Sequence, residues 1–406
     1  MNRYSAGFKA LWTGEIVSEF AGAAGGIING LLLYEITGSK EWMGALWLVY
    51  FIPSLILQSV SAPILNHVVK EKMLMNMQLI RAVVYLFPLL GYTMGNDKAA
   101  IIGLIVLQCI LGLLQPIYGS LSFSLVPELC REEELINANG LLDGTLRLMS
   151  FLAPGVTSLF LFLIPLHYVY ILSASLFLLS YFSLARIKLP HQKKGAAWSR
   201  RFWWSEMKEG YKSFFSVPVL VRLTFLSSLV QFAVGAAMVL SVPFIRSELS
   251  GQQWEYAIFA GSFPVGYAAG TLILRKLPRT SAFMYAGLIG GGLSFSLLFL
   301  VDSIYLAWLC ELFGGIMFPL FNAQSAAIFQ QHAPRNRLSQ LSAVRLFFLR
   351  VTMPLGILFA SISLMEMRYI YLIIGSCIFI PGIYYLIRSF IQSEQVHDAG
   401  KNLKNA

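Results

Sequence analysis

Long apolar runs separated by short polar turns recur along the whole chain. The runs are continuous rather than alternating, which is the periodicity of helices and not of half-buried strands. They predict spans over residues 9–35, 42–65, 73–94, 99–123, 141–164, 167–185, 223–245, 255–274, 281–301, 304–329, 341–364 and 369–390. A hydrocarbon layer about 30 Å thick is crossed by roughly 20 helical residues. Lipid admits only backbones whose polar groups are all paired internally. The expectation is an all-α polytopic membrane protein with twelve transmembrane helices. The only long polar interruption, Lys188 to Arg222, divides the chain. This gives a six-helix half over 1–185, a basic linker over 186–222, a second six-helix half over 223–390 and a polar tail over 391–406. Trp198, Trp203 and Trp204 among the linker's basic residues mark an amphipathic helix lying at the membrane interface.

Composition agrees with the pattern. Of 406 residues, 57% are hydrophobic and 12% charged, and the mean hydropathy is +0.68. A soluble domain carries roughly twice that charged fraction. The formal net charge of +10 raises the question of a nucleic-acid partner, but its distribution answers it. With the N-terminus in the cytoplasm, 22 of the 30 Lys and Arg fall on the cytoplasmic side, four outside (Lys40, Lys98, Arg246, Arg368) and four within spans. That is the positive-inside bias of a membrane protein with both termini cytoplasmic, and no nucleic-acid partner is expected. The four cysteines and five histidines are scattered without metal-ligand or redox spacing. No GxxxxGK[ST] phosphate loop is present, so ATP does not power this chain directly. No cofactor, metal or enzymatic activity is expected, and the first apolar run is too long for a cleavable signal.

The charges inside spans are the candidate chemistry. Glu15 and Glu19 stand four apart, on one face of span 1. Each costs at least about 2.5 kcal/mol in lipid, so that face points into the bundle. Span 3 carries Arg81, span 5 carries Asp143 and Arg147 in the order that favours an in-helix pair, span 10 carries Glu311, and span 11 carries Arg345 and Arg350. The acids and arginines either pair to hold helices together or use the carboxyls for proton exchange. The halves also repeat. GLLQPIYGSLSF at 112–123 matches GIMFPLFNAQSA at 315–326, placing Gly112 over Gly315 and Pro116 over Pro319, and Pro154 falls over Pro354. The four prolines are candidate hinges. A parallel duplication of this kind is the organisation of transporters whose site lies at the repeat interface. Trp12, Tyr118, Phe318, Phe321 and Asn322 are candidates to line an apolar cavity with polar handles.

LWTGEIVSEF with the later ITGS (Ile36 to Ser39), Arg81, VPELCREEELINANGLL from Val126 to Leu142, and PRNRLSQLSAVRLFFLRVTMPLG at 334–356 carry a family likeness. At these residues the chain resembles the major facilitator superfamily, and within it the bacterial macrolide-efflux-like drug:proton antiporters. The resemblance implies two parallel six-helix repeats in a monomeric bacterial plasma-membrane protein. It further implies secondary active export of amphipathic or hydrophobic small molecules, of the drug or antibiotic type, by proton antiport with alternating access. Small-molecule substrate, protons and the bilayer are then the partners, and antibiotic resistance the consequence. Such a mechanism needs a carboxyl in a partly dry cavity; Glu19, the deeper of the span-1 pair, ranks first, followed by Glu15, Asp143 and Glu311. The superfamily's loop signature between spans 2 and 3 is altered at Ala62, Asn66 and His67, and the span-5 glycines are thinned to Ala153-Pro154-Gly155. Two other readings stand beside this one: a dedicated exporter of one natural product or siderophore, and a non-transporting membrane scaffold with a degenerate transporter fold.

Overall fold

The structure, a computed structural model, describes residues 4–37, 40–65, 67–189, 199–278 and 280–404. Among these, fifteen α-helices follow in order. They are α1 (Ala6–Thr37), α2 (Lys40–Val60), α3 (Ala62–Leu65), α4 (Lys70–Val84), α5 (Leu86–Thr93), α6 (Asp97–Leu129), α7 (Leu135–Leu163) and α8 (Leu166–Leu184). Then come α9 (Arg200–Ser216), α10 (Pro218–Pro243), α11 (Gln253–Leu274), α12 (Ser281–Leu297), α13 (Ile304–His332), α14 (Leu338–Ile362) and α15 (Met367–Lys404). Eleven helical stretches among the described residues are long and apolar enough to cross a membrane, and Leu48–Val60 within α2 is a shorter apolar one. The chain is a multi-pass membrane protein.

Local chemistry sets several boundaries. Asn96 Oδ1 accepts from the Ala99 amide at 3.0 Å and starts α6, and Ser199 Oγ accepts from Phe202 at 3.1 Å to start α9. Pro218 opens α10, where its fixed φ suits a first helical turn. The helix of the seventh span therefore begins at Pro218 rather than 223, separated from the end of α9 by Val217 alone. Pro116, Pro319 and Pro354 lie inside α6, α13 and α14, and α7 runs on through position 154. None of these prolines ends a helix.

The chain forms two compact units. Unit 1 comprises Met1–Ala138, Thr145–Val221 and Gln330–Phe347, and unit 2 comprises Asn139–Gly144, Arg222–Phe329 and Phe348–Ala406. In unit 1, α1 and α4 both pack on α6 and α8, and α2 packs on α6. Ile28, Leu32, Tyr85, Leu104, Tyr170 and Phe177 form part of its apolar core. The α13–α14 corner bonds into the same unit. Gln330 Nε2 donates to Phe123 O at 2.9 Å, Ser342 Oγ to Ser120 O at 3.1 Å, and Gln58 Nε2 to Ala343 O at 2.8 Å. In unit 2, α12 packs along α15, and α11 lies against α13.

The sequence repeat has a packing counterpart. A Cβ on Gly112 would overlap the Tyr50 carbonyl oxygen of α2, and a Cβ on Gly315 would overlap the Phe263 carbonyl oxygen of α11. Matched glycines thus let matched helix pairs, α2 with α6 and α11 with α13, approach to backbone contact. Gly112→Val and Gly315→Val are each expected to cost about 1–3 kcal/mol by overpacking. Gly22→Ala, where nothing lies within 4 Å of the added Cβ, is expected to be neutral. Thermal melting of the detergent-purified variants checks this, and wild-type melting of either valine variant would show that the approach is not close.

Candidate functional site

Span 1 presents Glu15, Ser18 and Glu19 within little more than one helical turn. Glu15 is buried and its Oε1 accepts a hydrogen bond from Ser122 Oγ of α6 at 2.6 Å. Ser18 faces α4, where Gln78 Nε2 lies within hydrogen-bond distance of Ser18 Oγ (3.0 Å), Tyr118 Oη (3.1 Å) and Ser180 Oγ (2.9 Å). One turn along α4, Arg81 is buried to 4% exposure. Its Nη2 donates to Gln115 Oε1 at 2.7 Å, and its Nη1 to Ser18 Oγ and Gln78 Oε1, both at 3.3 Å. The guanidinium also stands over the Tyr118 ring, 4.4 Å from its centroid, and 5.7 Å from that of Phe177. The direct partners of Arg81 are therefore neutral amides, a hydroxyl and ring faces. Its charge still attracts Glu15 and Glu19, which repel each other.

Glu19 differs from Glu15. It is half-buried, and among the described residues it has no hydrogen-bond or ion-pair partner. Glu311, half-buried on α13, shares that property, and its field reaches the buried Tyr371 phenol of α15. Asp143 belongs to a third arrangement, in unit 2. Tyr267 Oη of α11 donates to Asp143 Oδ2. Asn322 Nδ2 of α13 donates to Tyr267 Oη at 2.8 Å, and Thr271 Oγ1 donates to the Tyr267 carbonyl at 2.9 Å. Asp143 is thus held by a tyrosine distant in sequence, in addition to standing one turn from Arg147.

The remaining candidates fall in several places. Trp12 Nε1 donates to Thr145 Oγ1 at 2.8 Å and ties α1 to α7. Tyr118 is buried within the Arg81 cluster. Phe318 and Phe321 are packed into the interior of unit 2, at 1% and 0% exposure, with Phe318 against Phe263 and Phe295. Arg345 stands 5.4 Å from the Phe123 ring centroid in unit 1, whereas Arg350 falls in unit 2. Of the loop-signature residues, Ala62 is buried in α3, His67 packs on Phe202, and Asn66 lies outside the described residues. Gln78, Gln115, Ser122, Ser180 and Tyr267 were not singled out from the sequence. The available signal was their spacing from charges, with Gln78 three residues before Arg81.

Among the described residues no group of three or more His, Cys, Asp or Glu is placed to hold a metal ion. What the arrangement offers is a membrane-embedded carboxylate pair beside a fixed cation, a combination suited to a transporter. Comparison with known proteins gives the class. The family model of the Major Facilitator Superfamily matches residues 11–357, and the chain belongs to that superfamily. It is 23% identical over 275 residues to an uncharacterized MFS-type transporter, YvqJ, of Bacillus subtilis (strain 168), a match spanning 65% of this chain and 64% of that protein. Its fold is like that of a bacterial homologue of the iron transporter ferroportin in an outward-facing state, with TM-score 0.76 and 16% identity over 96% of this chain and 99% of the other. It is also like the human organic anion transporter MFSD10, with TM-score 0.73 and 12% identity over 94% and 99% of the two chains. By family and by fold it is a member of the major facilitator class.

The cluster makes a stability prediction. Removing a hydrogen bond to a charged group costs about 1.5–3 kcal/mol. Gln115→Leu and Arg81→Met should each lower the melting temperature, and the double variant should lose less than their sum, with a coupling in that range. Additive losses would show that the two side chains do not interact.

Proposed function

We propose that this transporter exports amphipathic or hydrophobic small molecules, of the drug or antibiotic type, in exchange for protons by alternating access. It acts as a monomer in a bacterial plasma membrane with both termini cytoplasmic. The observation that carries the reading is Glu19: a carboxyl within a span, beside Arg81 and Glu15, with no hydrogen-bond or ion-pair partner among the described residues. A carboxylate in such surroundings is costly unless it is used, and the accessible use is to take up and release a proton as its surroundings alternate. Glu15, fixed by Ser122, sets the local field, and Asp143 and Glu311 are the further acids through which coupling can pass. The embedded arginines Arg81, Arg147, Arg345 and Arg350 balance these charges.

The solved structures of like fold include a homologue of an iron transporter and an organic anion transporter, so the fold does not choose the cargo. Aromatic content favours an apolar cargo here, since 14% of residues are Phe, Trp or Tyr. Purified protein in proteoliposomes, given a panel of cationic, neutral and anionic lipophilic compounds under an imposed pH gradient, tests the reading. Uptake no faster than in empty vesicles for every compound would reject it. For a compound that is transported, Glu19→Gln is expected to reduce gradient-driven movement to the empty-vesicle rate while leaving exchange of labelled for unlabelled compound intact. Unchanged gradient-driven movement would remove Glu19 from the coupling.

A further inference from the structure

Helix α9 joins α10 through Val217 alone, and α10 opens the stretch Pro218–Glu248, which is long and apolar enough to cross a membrane. The C-terminal end of α9 is therefore tied by one residue to a helix of spanning length. One face of α9 is fully engaged within unit 1. Trp203 Nε1 donates to Val60 O at 3.2 Å at the end of α2, and Phe202 packs on His67. Gln340 Nε2 of α14 donates to the Glu206 carbonyl at 2.6 Å. Arg337 donates to Glu209 Oε2 at 2.6 Å and to Ser213 Oγ at 3.1 Å, and Phe214 is buried. Both acids of the helix are drawn towards this side, Glu206 standing 3.9 Å from His67 Nε2.

The opposite face is a single exposed stripe. Arg201, Trp204, Lys208, Lys212 and Phe215 follow at intervals of three or four residues, which places them on one side of the helix. All five are exposed, Trp204 at 52% and Phe215 at 56%. Two large aromatic rings exposed beside three cations, without an acid among them, are poorly suited to bulk water. They match the headgroup layer of an anionic bilayer, where rings sit among the glycerol backbones and basic side chains meet phosphates.

We propose that the outer stripe of α9 is a binding surface for anionic phospholipid headgroups, with Arg201, Lys208 and Lys212 meeting the phosphates and Trp204 and Phe215 inserting between the lipids. Because the inner face of the same helix holds the end of α2 and the start of α14, a lipid on the outer stripe steadies both. The surface commits to lipid by charge complementarity and by its one-residue connection to a span.

The test uses the full chain in vesicles and does not depend on transport. Tryptophan fluorescence is recorded with brominated phosphatidylglycerol or brominated phosphatidylcholine, and the Trp204 contribution is taken as the difference between wild type and Trp204→Phe. That contribution should be quenched by both lipids and at least about twofold more by phosphatidylglycerol. A variant carrying Arg201→Gln, Lys208→Gln and Lys212→Gln should lose the preference, reducing relative phosphatidylglycerol affinity by about tenfold or more. The variant with Arg201→Lys, Lys208→Arg and Lys212→Arg, which keeps the charges, should retain it. Trp204 fluorescence untouched by either lipid, as when a second copy or a soluble protein covers the stripe, would overturn the proposal. So would equal quenching by both lipids in the wild type, or loss of the preference in the charge-keeping variant.

Discussion

A guanidinium inside a helix bundle wrapped in hydrocarbon cannot shed its charge and cannot reach water, so everything around it has to be arranged on its behalf. In unit 1 that group is Arg81. Gln115, Gln78 and Ser18 supply oxygens from three different helices, and the Tyr118 and Phe177 rings supply electron-rich faces. The arrangement fixes the rotation of α1, α4 and α6 about their axes, because none can turn without stripping a partner from the cation. Since the partners are neutral, the positive charge is solvated but not cancelled. The nearby carboxylates remain available, which direct ion pairs would have prevented.

The same economy of polar groups explains why close helix packing matters so much. Between apolar helices in lipid there is little hydrophobic gain left to drive association, and van der Waals contact must supply it. Gly112 and Gly315 allow that contact at matching places in the two sequence repeats, against α2 and α11. Duplication has kept the places where backbones meet, while the charged residues differ: α6 carries no counterpart of Glu311, and α12 no counterpart of Arg81. Packing is thus the repeated part of the design, and charge is the part that separates one repeat from the other.

How much of this the sequence revealed follows from how strongly lipid constrains each feature. Span number, order and approximate limits were legible because a bilayer imposes both length and hydropathy. Glu15, Glu19, Arg81 and Glu311 stood out because charge in a span is rare. Their partners did not, because a Ser or Gln in an apolar helix is inexpensive and common, and only helix rotation decides what it faces. Asp143 shows the limit of spacing arguments: the four-residue interval points to Arg147, yet Tyr267, more than a hundred residues away, also holds its carboxylate. Phe318 and Phe321 pose a related problem: both are buried in unit 2, and an aromatic ring serves core and cavity equally well, so sequence does not say which side it takes.

The altered loop between the second and third spans acquires a physical meaning from its surroundings. Where the family signature would place charged residues to fasten that loop, the structure has Ala62 buried in α3 and His67 lodged against Phe202 of α9. Fastening at this end comes from elsewhere: the buried Lys70 ammonium meets Glu128 at 2.6 Å across α4 and α6, and α3 packs on α9. Arg337 and Gln340, at the start of α14, reach the same helix from the other side. The linker helix thus contacts both α3 and the start of α14. The end of α2 and the start of α14 are thus held by one amphipathic helix in addition to the Gln58–Ala343 bond between them, so this end of unit 1 is fastened without the signature residues.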